Sequence, residues 1–355
     1  MTVDPPREPP RPAATLTGSW SPLPGRVVGL AATDDALFLA EVPDAGEPTR
    51  VHVVRWREGR WQWQTTWDVP RPPSVAADHD LSGSGAWIDV VAHPEGVDVV
   101  LTRIEYQGGS HGIALATLTH DGRWTRIEAI ESPTDSDIAF GVPALRRGDA
   151  LLTCEPDDRL WHFTRTGPAW TGRELALPPG RSTLCPPPMA IDARASQIVI
   201  AIDRSDPGPS APSLARYREH AGRYVLADEL ALPAAIETLR FAGDELYVGF
   251  QSSVEGALVW ALDPALRQPL VPLRRFPASG EPALDQLVDL DVSADRLLLV
   301  QLDAAWVLDT RGRSPARALE LPPARDGKPR RPQGLLMGSR AVLRVDDQLG
   351  VFDLE

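Results

Sequence analysis

The sequence has no apolar run long enough to span a bilayer as a helix, and it has only 2 cysteines among 355 residues. Its N-terminus, MTVDPPREPPRPAA, carries acids and prolines where a secretory signal peptide needs an apolar stretch. Scarce cysteine favours a reducing compartment, so we expect Cys154 to be a small core residue and a Cys154–Cys185 disulfide to be absent. These absences predict a cytoplasmic protein without a membrane helix.

Positive charge is also in short supply. Lys and Arg total 36 against 49 Asp and Glu, which gives a formal net charge of −13. The acids are spread along the chain, and the basic stretch at 325–331 is short and is broken by Pro and Asp, as in a solvated loop. A nucleic-acid partner needs a Lys/Arg footprint, so this composition argues against that class of function.

What the sequence does contain is a recurring cassette. A tight polar turn, usually with Gly, leads into an aromatic residue, a short β-type run and a closing Pro. The cassette occupies Gly18–Pro24, Gly59–Pro70, Gly122–Pro133, Gly167–Pro178 and Gly222–Pro233, and Pro277 and Pro322 close two further units that have lost the aromatic. The closing prolines recur about every 45 residues, with two longer intervals, which indicates seven repeat units of about four strands each.

Each unit contains short apolar runs flanked by Gly, Asp and Pro, without a helix-length period of 3.6, and this pattern predicts strands. A small–Asp–x–apolar turn precedes several predicted second strands, where Asp can bond nearby backbone donors. Third strands are predicted at Val51–Trp56, Ile113–Leu118, Leu160–Thr164, Leu214–Tyr217, Ala257–Leu262, Ala305–Leu308 and Gly350–Leu354.

The two chain ends complement each other. The last unit stops one strand short, whereas Thr15–Pro22 carries Trp20 in the cassette position but has no unit of its own. We predict that this segment pairs with the C-terminal strand, because an open outer edge would leave backbone groups unpaired. Residues 1–14 are then a disordered Pro-rich tail, and residues 15–355 form one domain.

Residues 15–355 therefore resemble a seven-bladed β-propeller, an all-β fold of four-stranded antiparallel blades. The Gly-His to Trp-Asp signature of WD40 repeats and the repeated Gly-Gly pairs of kelch repeats are absent, so no particular propeller family is indicated. Propellers host many unrelated activities, so the resemblance implies an architecture and transfers no catalytic residue.

Four polar connections define a candidate functional face, called the loop face below. The resemblance implies that connections between blades and those between second and third strands emerge on one side. The two long units carry their extra residues in such connections, at 71–85, 105–112, 180–188 and 205–213. Because polar excursions on a rigid scaffold commonly carry binding, we expect a partner protein to dock there, with Asp206 among its contacts.

The blade 2 part of the loop face holds the sharpest chemical candidates, which are Asp78, His79, Asp80, Glu105, Tyr106 and His111. Two imidazoles with one or two carboxylates are adequate ligands for zinc or another transition metal. A bound metal could activate water, with Glu105 or Tyr106 as general acid or base. The alternative is that these are ordinary loop residues that contact a partner, with Asp78 and Asp80 bonding their own backbone in turns, since the spacing matches no established metal motif.

A second candidate site is the central channel, which the first strands of a propeller usually line. Asp89, Asp289 and Asp291 are acids in predicted first strands. A ring of inward acids could hold a cation. The alternative is that these carboxylates face channel water, as the wet side of an inner strand allows.

The remaining conspicuous residues favour structure. The cassette aromatics repeat at one position, which indicates packing between blades. Trp63 and Trp67 alternate with polar neighbours and are predicted to share one face of an outer strand, either exposed to a partner or packed on the next blade. His162 is interpreted as a satisfied sheet histidine.

No Ser–His–Asp order, Gly-rich phosphate loop or cysteine cluster stands out. We therefore interpret the protein as a non-catalytic, protein-binding scaffold in a bacterial-type cytoplasmic complex, with no cofactor and with an acidic surface suited to a basic partner. The alternative is a metal-dependent lyase or hydrolase that uses His79 and His111 on the loop face. A small-ligand sensor that uses the channel is a third possibility.

Overall fold

A computed structural model of the chain describes residues 14–23, 25–42, 49–58, 60–70, 87–93, 96–105, 111–131, 145–147, 150–154, 159–166, 169–182, 188–191, 196–202, 204–205, 211–221, 223–267, 271–277, 286–293, 295–323 and 332–355. The secondary structure of these residues is β-strand and turn, as the apolar pattern predicts. Within the described ranges, no helix has the length and apolarity needed to cross a membrane.

The described strands form seven blade sheets and one separate two-stranded sheet. Two short strands come first, β1 (Ala14–Leu16) and β2 (Ser19–Pro22). Blade 1 contains β3 (Val27–Ala32), β4 (Ala36–Glu41), β5 (Arg50–Arg57) and β6 (Arg60–Asp68). Blade 2 contains β7 (Trp87–His93), β8 (Gly96–Glu105), β9 (His111–Thr119) and β10 (Trp124–Glu131). Blade 3 contains β11 (Leu145–Arg147), β12 (Ala150–Cys154), β13 (Leu160–Thr166) and β14 (Ala169–Leu175).

Blade 4 has two additional strands in its connections. It follows β15 (Arg181–Ser182) and contains β16 (Met189–Ile191), β17 (Gln197–Ile202), the connecting strand β18 (Arg204–Ser205), β19 (Ser213–His220) and β20 (Arg223–Ala231). Blade 5 contains β21 (Ile236–Ala242), β22 (Glu245–Val254), β23 (Ala257–Leu262) and β24 (Arg274–Pro277). Blade 6 contains β25 (Leu287–Val292), β26 (Arg296–Gln301), β27 (Ala305–Asp309) and β28 (Arg317–Leu319). Blade 7 contains β29 (Gln333–Met337), β30 (Arg340–Val345) and β31 (Gln348–Asp353), and β2 completes it.

The blades form a closed ring. The four strands of each blade pair antiparallel from the channel outward, in chain order in blades 1 to 6, and β2 is the outer strand of blade 7. The first strands contact one another around the channel, and β29 of blade 7 contacts β3 of blade 1. This arrangement confirms the predicted all-β fold of seven four-stranded blades, and the predicted third strands coincide with β5, β9, β13, β19, β23, β27 and β31.

The N-terminal segment closes the ring in two steps. Strand β2 pairs antiparallel with β31, from Ser19 opposite Val351 to Pro22 opposite Gln348, which confirms the predicted closure. Trp20 lies over Gly350, where a Cβ would come within 2.7 Å of the indole, so only glycine fits. The prediction of one continuous strand from Thr15 is wrong, because β1 instead pairs in parallel with β28 of blade 6. The segment therefore joins two blades.

The cassette aromatics pack between blades in a regular way. Each lies against the core that its own blade shares with the preceding blade, as the repeated position predicts. Trp124 of blade 2 packs on the core between blades 1 and 2, for example, and Tyr224 of blade 4 packs on the core between blades 3 and 4. These inter-blade layers are the hydrophobic core of the protein, because every blade buries both of its faces.

The outer strand of blade 1 contains a β-bulge that the sequence pattern conceals. Thr65 lies opposite Val53 and Trp63 opposite Val54, so Gln64 is the extra residue. Val53 and Val54 point to opposite faces of the sheet, and therefore Trp63 and Trp67 do as well. Trp67 packs on the core shared with blade 2, whereas Trp63 is 45% exposed on the other face. The prediction that both tryptophans share one face is wrong.

Cys154 is fully buried in the core between blades 3 and 4, as expected of a core residue. It is nevertheless disulfide-bonded, which contradicts the expectation of a reduced thiol. The chain has one other cysteine, Cys185, which lies outside the described residues. The low cysteine count does not exclude a disulfide, because two cysteines are enough to form one.

Candidate functional site

Most of the predicted loop-face residues lie outside the described part of the chain. Asp78, His79, Asp80, Tyr106 and Asp206 belong to this group, so their metal and partner roles stay predictions. Among the residues that the structure does describe, no group of three or more His, Cys, Asp and Glu is placed to hold a metal ion.

The backbone brings Glu105 and His111 together. They are the last pair of the β8–β9 hairpin, directly opposite each other, and Ile104 opposite Gly112 precedes them. The register shifts between Leu101 and Ile104, so the end of the hairpin is offset from the rest of blade 2. The predicted bounds of the connection, 105–112, are wrong at both ends, because Glu105 is the last residue of β8, and His111 and Gly112 begin β9.

The two long connections of blade 4 meet on the loop face. Strand β15, which lies between blades 3 and 4, pairs antiparallel with β18, which lies between the second and third strands of blade 4. Glu229, near the end of the outer strand, accepts hydrogen bonds at one carboxylate oxygen from Arg181 Nε at 2.6 Å and Ser213 Oγ at 2.7 Å. The two kinds of connection therefore emerge on one side of the ring and bond to each other.

Blade 1 contributes a polar trio at its loop-face end, in which Glu41 and His52 are buried and Thr66 is exposed. His52 Nε2 lies 2.6 Å from Glu41 Oε2, and His52 Nδ1 lies 2.9 Å from the Thr66 hydroxyl. Glu41 ends the second strand, which places the trio beside the connection to the third strand. A Cβ on Gly25 would collide with the Glu41 carboxylate, so glycine leaves the space that this carboxylate occupies.

The trio satisfies itself. Both imidazole nitrogens of His52 have partners, the ring of Trp63 packs edge-on against it at 5.4 Å, and His52 and Glu41 are buried. An acid, an imidazole and a hydroxyl in line can activate the hydroxyl as a nucleophile. The same arrangement also has a purely structural explanation, because polar groups that are buried at the end of a sheet need hydrogen-bond partners. Sequence reasoning missed the trio because Glu41, His52 and Thr66 come from three different strands.

The central channel is a cavity of about 720 Å³ lined by first strands. Asp289 and Asp291 of β25 line it, as predicted. The side chain of Asp89 lies outside the described residues.

The two described acids act between blades. Asp289 Oδ2 accepts the N–H of Gly334 at 3.0 Å, and Asp291 Oδ2 accepts the N–H of Leu336 at 2.6 Å. Both donors belong to β29, the first strand of blade 7. Burial raises the pKa of both carboxyl groups, and the backbone donors and Arg240 oppose that rise. These carboxyl groups bond blade 6 to blade 7 while they still line the channel, and this inter-blade role is additional to the two predicted alternatives.

Three further residues with charged or amide side chains line the channel, and sequence reasoning missed all of them. Glu237 and Arg240 come from β21, and Gln333 begins β29. Burial raises the pKa of Glu237, a hydrogen bond from Gln251 lowers it, and the nearby charge of Asp289 raises it further. Arg240 Nη2 lies 3.8 Å from Asp289 Oδ1. The available signal was a pair of charged residues in a predicted first strand, at Glu237 and Arg240.

Comparison with known proteins supports the architecture. No protein-family model and no curated protein sequence matches the chain. Among solved structures, the Myceliophteria thermophila Cps50 (Swd1) beta-propeller domain is similar, with a TM-score of 0.58, 12% identity, and coverage of 95% of this chain and 100% of that one. The chain is a seven-bladed β-propeller. The computationally designed Ika8 protein is also similar to this propeller, with a TM-score of 0.52, 13% identity, and coverage of 96% and 100%. At these identities the similarity shows the fold alone.

Proposed function

We propose that this propeller is a non-catalytic binding module that docks another protein through its loop face, as part of a bacterial-type complex. The pairing of β15 with β18 is the observation that carries the proposal. Two connections that bond each other form a preorganised surface, and preorganisation lowers the entropic cost of docking. The propeller fold is consistent with a scaffold role, and the fold similarity above supports no more specific function.

The chemistry of the partner follows from charge. With a formal net charge of −13, the propeller favours a partner that presents a basic patch, since complementary potentials speed encounter and select partners. Asp78, Asp80 and Asp206 are the loop-face acids that we assign to this contact, with His79, Tyr106 and His111 beside them. Binding to nucleic acid or to a membrane is not part of the proposal.

Native mass spectrometry of the tagged protein, purified gently and without chelator from its own host, tests the proposal. We expect a stoichiometric protein companion. The face variant Asp78→Asn/Asp80→Asn/Asp206→Asn should lose it. The control variant Asp34→Asn/Glu58→Gln/Asp244→Asn also removes three negative charges, but from exposed turns on the opposite side of the ring, and it should retain the companion.

Three outcomes would contradict the proposal. Loss of the companion in both variants would indicate a charge effect without a defined face, and retention in both would place the contact elsewhere. A lone chain with a tightly bound metal, lost on His79→Ala/His111→Ala substitution, would instead support the metal-dependent lyase or hydrolase.

A further inference from the structure

The channel has two chemically different sides. The described lining residues from blades 1, 2 and 4 are all apolar and include Val28, Leu30, Val90, Ala92, Met189 and Ile191. The charged and amide side chains of the described lining all come from blades 5 to 7. A cavity with an apolar wall and a few convergent polar groups is the usual form of a small-molecule site.

Two of the three carboxyl groups on the polar side are already engaged. Asp289 and Asp291 accept backbone N–H groups of β29, and Asp289 also accepts the N–H of Leu290 at 2.8 Å. Their electrostatic partners are Arg240 and, for Asp289, Arg344 as well. Arg344 in turn donates to the carbonyl oxygen of Val27. These two carboxyl groups are therefore parts of the wall.

Glu237 is the third carboxyl group of the described channel lining, and it takes no part in these bonds to β29. Its hydrogen-bond partner is the neutral side chain of Gln251, and the charge that acts on it is the like charge of Asp289. No Arg, Lys or His of the described residues forms an ion pair with it. Among the described residues, Glu237, Asp289 and Asp291 thus outnumber the guanidinium groups of Arg240 and Arg344, and Glu237 has no cationic counterpart there.

Gln333 supplies an independent indication. The residue lines the same cavity, and its Oε1 atom is buried and accepts no hydrogen bond from any described residue. A buried acceptor without a donor costs free energy, so such atoms usually mark a missing partner. The missing partner must donate hydrogen bonds, whereas a carboxylate or phosphate could only accept them.

We propose that the channel binds a small organic cation, a primary ammonium group on an apolar body. An ammonium group carries one positive charge and three N–H donors, which complements the Glu237 carboxylate and the Gln333 acceptor. A partly desolvated carboxylate attracts a cation more strongly than an exposed one does. The apolar wall of blades 1, 2 and 4 accommodates the body of the ligand, and the cavity volume is adequate for a molecule of metabolite size.

Isothermal titration calorimetry with matched probes tests the proposal on the full-length protein. The probes are hexylammonium, hexanoate and hexan-1-ol, which share the apolar chain and differ in the charge of the head group. We expect hexylammonium to bind in the millimolar range with one site, and hexanoate and hexanol to bind much more weakly. Shortening hexylammonium to propylammonium should weaken binding by about fourfold for each buried CH2 that is removed.

The variant Glu237→Gln locates the site, because it removes the charge and keeps the shape. It should weaken hexylammonium binding by about 10- to 100-fold, the loss expected for a hydrogen bond to a charged group. The control Glu174→Gln changes an exposed glutamate on the outer strand of blade 3 and should leave binding unchanged.

The proposal is overturned if hexanoate binds as tightly as hexylammonium, if no probe binds, or if Glu237→Gln binds hexylammonium as the wild type does. The comparison of probes uses the wild-type protein, so it decides the charge preference even if the variant is unstable. The channel and the loop face use different residues, and either proposal can fail while the other holds.

Discussion

Single half-buried polar side chains join the blades of this protein. Asp291 of blade 6 is an example, because its carboxylate accepts a hydrogen bond from the backbone N–H of Leu336 in blade 7. Such a bond contributes little net free energy, but removing the acceptor leaves a buried donor without a partner, which is costly. The Asp289 bond to Gly334 repeats the arrangement two residues earlier, so the two bonds reinforce the same seam.

Replacing Asp291 should therefore loosen the seam between blades 6 and 7. Asp291→Ala should lower the free energy of unfolding by about 1–3 kcal/mol, and Asp291→Asn, which keeps an acceptor oxygen, should lower it less. Urea unfolding followed by tryptophan fluorescence measures both. The exposed-turn variant Asp244→Ala is the control, and an Asp291→Ala protein as stable as this control would show that the bond is dispensable.

His162 is the clearest case of a perturbed pKa. It is buried between Arg173 on the neighbouring strand and Tyr224, whose ring packs edge-on at 4.6 Å. Burial, with a smaller contribution from the charge of Arg173, lowers the pKa of His162 to about 4 from 6.5. Its Nε2 atom is buried and makes no hydrogen bond with any described residue, so the folded protein holds the imidazole neutral.

The stability of the protein should consequently fall in acid. The unfolded chain takes up a proton at His162 near pH 6.5, whereas the folded protein does so only near pH 4. Stability from this residue is fully present above pH 6.5 and is lost as the pH falls to about 4, by about 3 kcal/mol in total. Urea unfolding at several pH values should show a shallower slope in this window for His162→Leu than for the wild type.

The control for this prediction is His220→Gln, which changes an exposed histidine on the adjacent blade. Carboxyl groups titrate in the same window, but they do so equally in both variants, so only the difference in slope reports on His162. Identical slopes for His162→Leu and His220→Gln would contradict the assignment.

At the scale of elements, the N-terminal segment has a role that neither of its strands could fill alone. Strand β1 adds a fifth strand to blade 6, and β2 adds the fourth strand to blade 7. Leu16 and Trp20 pack on the core between these two blades, and Trp20 meets Phe352 edge-on at 5.8 Å. The segment covers two outer edges and ties together the seam where the ring closes.

Stepwise truncation should separate these contributions. Deleting residues 1–13 should leave the melting temperature unchanged, deleting 1–17 should lower it slightly through loss of β1, and deleting 1–23 should lower it most. The last deletion exposes the edge of β31 and half of a hydrophobic core. Differential scanning calorimetry measures the series, and equal melting temperatures for the first and last truncations would refute the closure.

A matched pair of tryptophan substitutions gives the same test without truncation. Trp20→Ala should lower the free energy of unfolding by about 2–4 kcal/mol, because the indole packs on the core at the closing seam. Trp63→Ala should cost less than about 1 kcal/mol, because that side chain is 45% exposed. Comparable losses in the two variants would contradict the packing described for Trp20.

At the scale of the whole molecule, the disulfide at Cys154 bears on where the protein works. Disulfides persist in oxidising compartments and are rare in the cytosol of mesophiles, so the redox state of this bond in the cell tests the cytoplasmic location, which stays a prediction. Cys154 lies in the second strand of blade 3, and Cys185 follows that blade in the sequence. A cross-link between them would restrain the connection that leads to blade 4.

Thiol counting decides this point. Alkylation of the denatured, unreduced protein should label no cysteine, and alkylation after reduction should label both. In the chain-entropy model, closing a loop of roughly 30 residues stabilises a protein by about 3–4 kcal/mol, so the Cys154→Ala/Cys185→Ala variant should melt at a lower temperature than the oxidised protein. Two labelled thiols in protein trapped in its own cells would exclude the disulfide there and support the cytoplasmic location.

The sequence by itself determined the architecture, because the signals for it are local and repeated. The turn, aromatic and proline of the cassette recur in unit after unit, so an ambiguous pattern in one unit is resolved by the same pattern in the others. The strand that is missing at Glu355 is supplied by the segment that carries Trp20. Alternation of apolar residues places strands reliably for the same reason, since it needs only neighbouring residues. The third strand at Ala257–Leu262, for example, is found with the predicted bounds.

Tertiary structure decided everything that depends on residues distant in sequence. The bulge at Gln64 reversed Trp63 relative to Trp67, and the break before β2 placed Leu16 on a different blade from Trp20. The bonds from Asp289 and Asp291 to β29 depend on how far one blade is rotated against the next, and so does the absence of a cationic partner for Glu237 among the described residues. That rotation is set by the packing of all the inter-blade cores around a closed ring, so it cannot be predicted from any local stretch of sequence.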